Sequence, residues 1–201
     1  KLPILAALYV QAQAKKVDLD NVITMQQEDI QDYGTGSIRY DPQGSTYSVK
    51  TLARLMIQKS DNTATYILAN HIVGIDTIQA YATSWGMNQT DMANNKTSNK
   101  DVALLFRKLY EGKIVNTALT QEIFSFLKDS DFEDRIPALL PKDVVVYHKT
   151  GNGAGVIHDA GTVVHGKTKY YIGIFTADVV DDQEAITLEA KVSKAVFDFM
   201  Q

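Results

Sequence analysis

Lys1, the tripeptide Ser60-Asp61-Asn62 and the tripeptide Lys149-Thr150-Gly151 have residue types and settings that suit acyl transfer. That chemistry needs a nucleophile, a group to take its proton, a donor for the leaving group and an oxyanion hole. Lys1 opens a long apolar helical run. A lysine buried in such a place loses solvation, so its ammonium gives up a proton more readily. It would then act as base toward a serine one helical turn before it, since residues i and i+3 share a face. Ser60 lies at a break between two helical patterns, where a hydroxyl can face a cleft and relay a proton. Asn62 offers an amide donor and acceptor two residues on. Lys149 and Thr150 close a strand-like run that starts at Val144, and strand alternation sends their side chains to opposite faces. They suit a substrate carboxylate, as point charge and hydroxyl donor. Gly151 lets a ligand approach the backbone, and the Asn152 N–H is placed to help bind an oxyanion. Taken singly, each piece has a plainer explanation. Lys1 would be a solvated charge, Ser60 or Asp61 a helix cap, and Lys149-Thr150-Gly151 a strand ending in a glycine turn.

The elements that must position these residues fall into two parts. Lys1 to about Ala14 is apolar on nearly every face, which predicts a buried central helix with Pro3 tolerated in its first turn. Residues 15–47 are polar and broken by Gly34, Gly36, Pro42 and Gly44, so loops and short irregular pieces are expected. Helical spacing returns from Ser48, a plausible N-cap, to Lys59, then from Asn62 to Ile72 and from Asp76 to Trp85, stopping at Gly86. Ser98-x-x-Asp101 resembles a capping box and opens a helix running to Gly112, and a short helix covers Thr120 to Lys128. The period then changes. Val144–Thr150, Ile157–Val164 and Thr168–Val179 read as strands, the last two joined at Gly166 in an antiparallel hairpin. Glu184 to Met200 is helical again. The predicted fold is α+β: residues 1–142 a mainly helical lobe, residues 143–201 three antiparallel strands plus a C-terminal helix, both in one structural unit. A cleft between helices and a sheet edge is a common place for a site.

Composition narrows the classes of function. The chain of 201 residues is 45% hydrophobic and 22% charged, as in ordinary globular proteins. A net charge of -4 without a basic stripe gives no footprint for nucleic acid. No apolar run approaches the roughly 18 residues that span a membrane. Cysteine is absent, which excludes disulfides and thiolate chemistry. His71, His148, His158 and His165 lack metal-ligand spacing, so surface or strand positions are expected for them, with no metal and no cofactor. Tyr33-Gly34-Thr35-Gly36 reads as a turn, since no Gly-Lys-Ser/Thr follows it.

Together the motifs resemble those of the penicillin-recognising serine acyltransferases, Ser-x-x-Lys, Ser-Asp-Asn and Lys-Thr-Gly, and look like the class A β-lactamase branch. The resemblance covers nearly the whole chain. Lys1-Leu2-Pro3-Ile4-Leu5 looks like the continuation of the first motif, residues 55–65 resemble the stretch around the second, and Asp134-Arg135-Ile136-Pro137 followed by His148-Lys149-Thr150-Gly151 looks like the approach to the third. The resemblance implies a β-lactamase-like fold, a helical lobe packed on an antiparallel sheet closed by a C-terminal helix. It places the nucleophilic serine three residues before Lys1, with early strands and a helix ahead of it. It makes Lys1 the base or proton relay of acylation and Ser60 the shuttle toward the leaving nitrogen. Asn62 would bind the acyl side-chain amide, Lys149 and Thr150 the carboxylate, and Asn152 N–H the oxyanion. The implied ligands are β-lactams or peptidoglycan peptides, and the implied setting is a monomer outside the bacterial cytoplasm, whether extracellular, periplasmic or at the cell surface.

One departure bears on turnover. Class A β-lactamases carry a loop glutamate, within Glu-x-x-Leu-Asn, that activates the deacylating water. The corresponding stretch here, Gly86 to Lys100, is short and holds no glutamate, only Asp91 with Asn94 and Asn95 nearby. Acylation followed by slow hydrolysis is therefore expected, closer to a penicillin-binding D,D-peptidase than to an efficient resistance enzyme. Two other readings stay open: a non-catalytic relative that binds cell-wall peptide or a protein, and an esterase acting on small esters.

Overall fold

The apolar run that opens the chain folds as α1, Leu2–Gln13, and every side chain from Leu2 to Tyr9 is buried. The computed structural model describes all residues from 1 to 201. A helix apolar all round must be wrapped by others, and α1 packs against a later helix pair and a π-helical turn introduced below.

Residues 15–47 hold more order than their polarity suggests. Two three-residue strands, β1 (Val22–Thr24) and β2 (Thr46–Ser48), pair antiparallel with Ile23 opposite Tyr47, and 3-10 turns cover Gln27–Asp29 and Ile38–Tyr40. Strands this short carry too few residues for alternation to register in the sequence. Ser48 then caps α2 (Val49–Gln58), its hydroxyl accepting from Thr51 N. The helix expected over 62–72 is split into α3 (Asn62–Tyr66) and a π-helical stretch, Ile67–Val73. Next comes α4 (Ile75–Ser84), which ends before Gly86 in a left-handed conformation.

The Ser98 hydroxyl caps α5 (Asn99–Tyr110) by accepting from Asp101 N, yet the capping box stays half closed. The buried Asp101 carboxylate turns instead to Gln89 N and Thr90 Oγ1, both at 2.8 Å, and ties down the loop before the helix. α6 (Thr117–Phe126) begins earlier than expected because Asn116 caps it.

Three long strands follow in the order β3-β4-β5: β3 (Val145–Gly153), β4 (Val156–His165) and β5 (Thr168–Phe175), all antiparallel. β3 runs past Lys149-Thr150-Gly151, so the tripeptide lies inside the strand and not at a glycine turn, and the reversal falls at Gly155. β5 stops at Phe175, short of Val179, and Gly166 makes the β4–β5 turn. The chain closes with α7 (Asp182–Met200). One face of the sheet joins the helical core through Tyr147, Ala160, Tyr171 and Phe175. The opposite face forms a small cluster, Ile136, Val146, Val163, Ile172 and Phe197, beneath α7. α1 packs on α4, α6 and the π-helical stretch, and no helix is long and apolar enough to cross a membrane.

Candidate active site

Ser60 is the point where the three sequence motifs meet. It stands between α2 and α3 with φ at 50°, in the left-handed region that costs a non-glycine residue energy and that recurs at functional sites. The next residue holds it there. Asp61, almost wholly buried, caps α3 by accepting from Ala64 N at 2.9 Å and grips a second segment by accepting from Ser37 N at 2.6 Å and Ile38 N at 3.1 Å. Asn62 is clasped by the same segment: its backbone N–H donates to Thr35 O, its amide donates to Tyr33 O, and Thr35 Oγ1 donates to Ser60 O. The clasp needs its glycines. A Cβ on Gly34 would lie 2.5 Å from Asn62 Nδ2, and one on Gly36 2.5 Å from Asp61 Oδ2. The turn at Tyr33-Gly34-Thr35-Gly36 is thus part of the site wall, a role its composition did not reveal.

Two ammonium groups converge on the Ser60 hydroxyl. Lys1 Nζ donates to Ser60 O at 2.5 Å, Ser60 Oγ at 2.9 Å and Asn62 Oδ1 at 2.9 Å. Lys149 Nζ donates to the same Oγ at 3.1 Å and to Thr150 O at 2.8 Å. Burial strips water from both. It pulls Lys1 down to about 8, against the opposing charge of Asp61. It pulls Lys149 down to about 7, helped by the charges of Lys1 and Arg135 and opposed by Asp159. Both amines therefore change protonation near neutrality, the range in which proton transfer is useful.

The free edge of β3 supplies the other polar groups. Ile157 points both its backbone groups at Thr176, accepting from Thr176 N and donating to Thr176 Oγ1. Asn152, opposite Ile157, is thus in a non-hydrogen-bonded pair and turns its N–H outward from the edge. The same parity is seen at His148, whose N–H leaves the sheet to reach Leu127 O, and at Thr150, whose C=O meets Lys149 Nζ. Gly151 lies between Thr150 and Asn152 and pairs with His158, whose Cβ is 3.9 Å from where a Gly151 Cβ would be. Lys1, Ser60, Asn62 and Lys149 are thus directly bonded to one another, and Thr150, Gly151 and Asn152 continue the edge beside them.

A family model described as "Beta-lactamase enzyme family" matches residues 1–200. The chain belongs to that family. A beta-lactamase of Bacteroides uniformis is 25% identical over 232 residues, spanning 100% of this chain and 77% of that protein. Among solved structures, PBP-A superposes with a TM-score of 0.90 at 28% identity, covering 98% of this chain and 78% of PBP-A. A beta-lactamase of Sphaerobacter thermophilus superposes at 0.93 with 22% identity over 99% of this chain and 80% of its own, a likeness of fold. Membership places the chain among beta-lactamase-like serine hydrolases, with the α+β architecture of that family.

The loop from Gly86 to Lys100 holds a single carboxylate, that of Asp91. Asp91 is spent on its own turn, accepting from Asn94 N at 3.0 Å and Asn94 Nδ2 at 2.7 Å. Those bonds hold its carboxyl below the ordinary carboxylate range. It lines a surface depression with Ile75, Asp76, Gln79 and Thr90, and no hydrogen bond or ion pair joins it to Lys1, Ser60 or Lys149. Sequence reasoning also passed over a buried polar group behind Lys149. His148 and Asp159 are both fully buried, with His148 Nδ1 at 2.8 Å from Asp159 Oδ1. The sequence gives His148 a surface or strand position, and nothing local signals a partner that sits on the next strand.

Proposed function

We propose that the protein is a serine acyltransferase of the β-lactamase kind that forms an acyl-enzyme with β-lactams or D-alanyl peptides and releases the acyl group slowly. The nucleophile in this reading is a serine three residues before Lys1 in the full-length protein, one turn earlier on the helix of α1. Neutral Lys1 keeps two N–H donors and offers its lone pair to that serine's proton. The serine oxygen adds to the scissile carbonyl, and the outward N–H of Asn152 receives the developing oxyanion. Ser60, bonded to Lys1 and Lys149, hands its proton to the leaving nitrogen as the C–N bond breaks and takes one in turn from Lys1, which returns to the neutral amine. Lys149 and the Thr150 hydroxyl hold the substrate carboxylate, and the Asn62 amide meets the acyl side chain.

The observation that carries this reading is the shared bonding of the Ser60 hydroxyl by two partly desolvated lysines. A structure of a PBP-A point mutant as an acyl-enzyme complex with penicillin G, 28% identical to this chain, adds support for acylation. The occupied Asp91 and the absence of a glutamate from residues 86–100 support slow deacylation. The test is the intact mass of the full-length protein before and after benzylpenicillin. A persistent adduct of one penicillin is the expected result. Rapid consumption of the drug without an adduct would overturn slow deacylation, and untouched drug with unmodified protein would overturn acylation itself.

A further inference from the structure

The buried polar group behind Lys149 is not used by the acylation steps. Both ring nitrogens of His148 face carboxylates: Nδ1 lies 2.8 and 3.0 Å from the two oxygens of Asp159, and Nε2 lies 3.4 Å from Glu133 Oε1. A ring with an acceptor on each side must donate from both nitrogens, which only the imidazolium does. Gly161 stands opposite His148, where a Cβ would fall 2.6 Å from His148 Cβ and 2.7 Å from His148 Cα, so the two strands approach this closely at His148 only because that residue is glycine. Asp159 also accepts from Ile136 N at 3.1 Å, and His148 N donates to Leu127 O at 2.7 Å, so the pair fastens β3 to its neighbours on both sides.

Asp159 is also the carboxylate whose charge raises Lys149 against its burial, and it stands opposite Thr150 in the sheet. We propose that His148 is a positioning residue whose buried imidazolium, clamped between Asp159 and Glu133, fixes the strand bearing Lys149 and Thr150 and cancels the Asp159 charge that Lys149 would otherwise feel. This rests on the assignment of Lys149 as the carboxylate anchor. Charges reach the two residues from several elements. Lys1 faces Lys149 from α1, Arg135 from the segment before β3, and Asp159 from β4. Glu133 and Asp159 face His148, Asp134 pairs with Arg135, the charges of Arg135, Asp159 and Asp134 act on Glu189 of α7, and that of Asp159 acts also on Tyr171 of β5. Burial alone would lower His148, yet its bonds to Asp159 and Glu133 outweigh that and raise it to about 9, in keeping with the geometry.

The test follows the Lys149 proton directly. The full-length protein is labelled with 13Cε-lysine, and the Lys149 signal is identified by its loss in Lys149→Arg. Its midpoint is expected near 7. In His148→Asn the side chain still donates to Asp159 but carries no charge, so the Lys149 midpoint should rise by about one pH unit or more, a tenfold change in its proton equilibrium. Repeating the comparison in a Glu189→Gln background removes the α7 carboxyl as a contributor. An unmoved or lowered midpoint overturns the proposal. A second measurement needs no variant: 15N spectra of wild-type histidines at pH 7.5 should show both His148 ring nitrogens protonated, and a neutral tautomer overturns it as well. Acylation by benzylpenicillin is followed in parallel. A shifted Lys149 without acylation sinks the proposed function and leaves the electrostatic role standing; acylation with an unshifted Lys149 does the reverse.

Discussion

Replacing Asp61 by Asn tests whether this carboxylate holds the site together. Its two oxygens accept three backbone N–H groups, Ala64 N on one and Ser37 N and Ile38 N on the other, and the side chain is almost wholly buried. An asparagine has one acceptor oxygen. If that oxygen stays with Ser37 and Ile38, the amide NH2 confronts Ala64 N and the cap of α3 is lost, at about 1 kcal/mol. The bonds that remain lose their charge assistance, and one buried donor is left unpaired, at about 1–3 kcal/mol. The total is about 3 kcal/mol. For a domain of this length that lowers Tm by about 6–12 °C. The clasp on Ser60 and Asn62 loosens with it, so acylation by a fluorescent penicillin should slow at least tenfold, on the order expected when positioning groups fail. Thermal unfolding by circular dichroism reads the first effect and stopped-flow acylation the second. A Tm within about 2 °C of wild type would refute the reasoning, because it would mean the three bonds carry no net stability.

Other outcomes follow from the same geometry. Ser60→Ala removes the hydroxyl that both lysines bond, and should cut acylation by about 10²–10⁴-fold with little change in Tm; a loss under about tenfold would count against a proton-relay role. The acylation rate against pH should be bell-shaped with its maximum between about 7 and about 8 and a fall on both sides, since Lys1 must be neutral and Lys149 charged, and the two ammoniums titrate as a pair; a profile that stays flat well below 7 and well above 8 contradicts the assignment. Glu189 lies buried on α7 with neither oxygen partnered, and burial pushes its carboxyl up from 4.5 to about 8. Between those values the unfolded chain gives up a proton that the folded chain keeps, so stability falls as pH rises. Glu189→Gln should therefore stabilise the protein at pH 8, by about 4 kcal/mol, and not at pH 4; equal gains at both would point to packing instead.

Much of this molecule is written in local pattern. The apolar run of α1, the Ser48 and Ser98 caps and the Gly86 stop all act within a turn or two of their own sequence, so the helices could be read directly. The Gly166 hairpin and the period of α7 are local in the same way. The residue types of the site were legible too, because Ser60-Asp61-Asn62 and Lys149-Thr150-Gly151 are contiguous. What the sequence could not show was decided across long separations. The Lys1–Ser60 bond spans 59 positions and the Lys149–Ser60 bond 89, and neither leaves a periodic trace. The left-handed Ser60, the Gly34–Gly36 clasp on Asp61 and Asn62, and the diversion of Asp101 from its own cap to Gln89 and Thr90 all depend on which segment lies alongside. The burial that lowers both lysines arises only once the helical core and the sheet close over them. The charge of His148 belongs to this second class, since its partners come from the neighbouring strand and from a separate loop. Sequence alone determined the longer helices, the three long strands and the reactive groups. Tertiary packing decided their protonation and their contacts, because desolvation and charge pairing depend on distance in space and not along the chain.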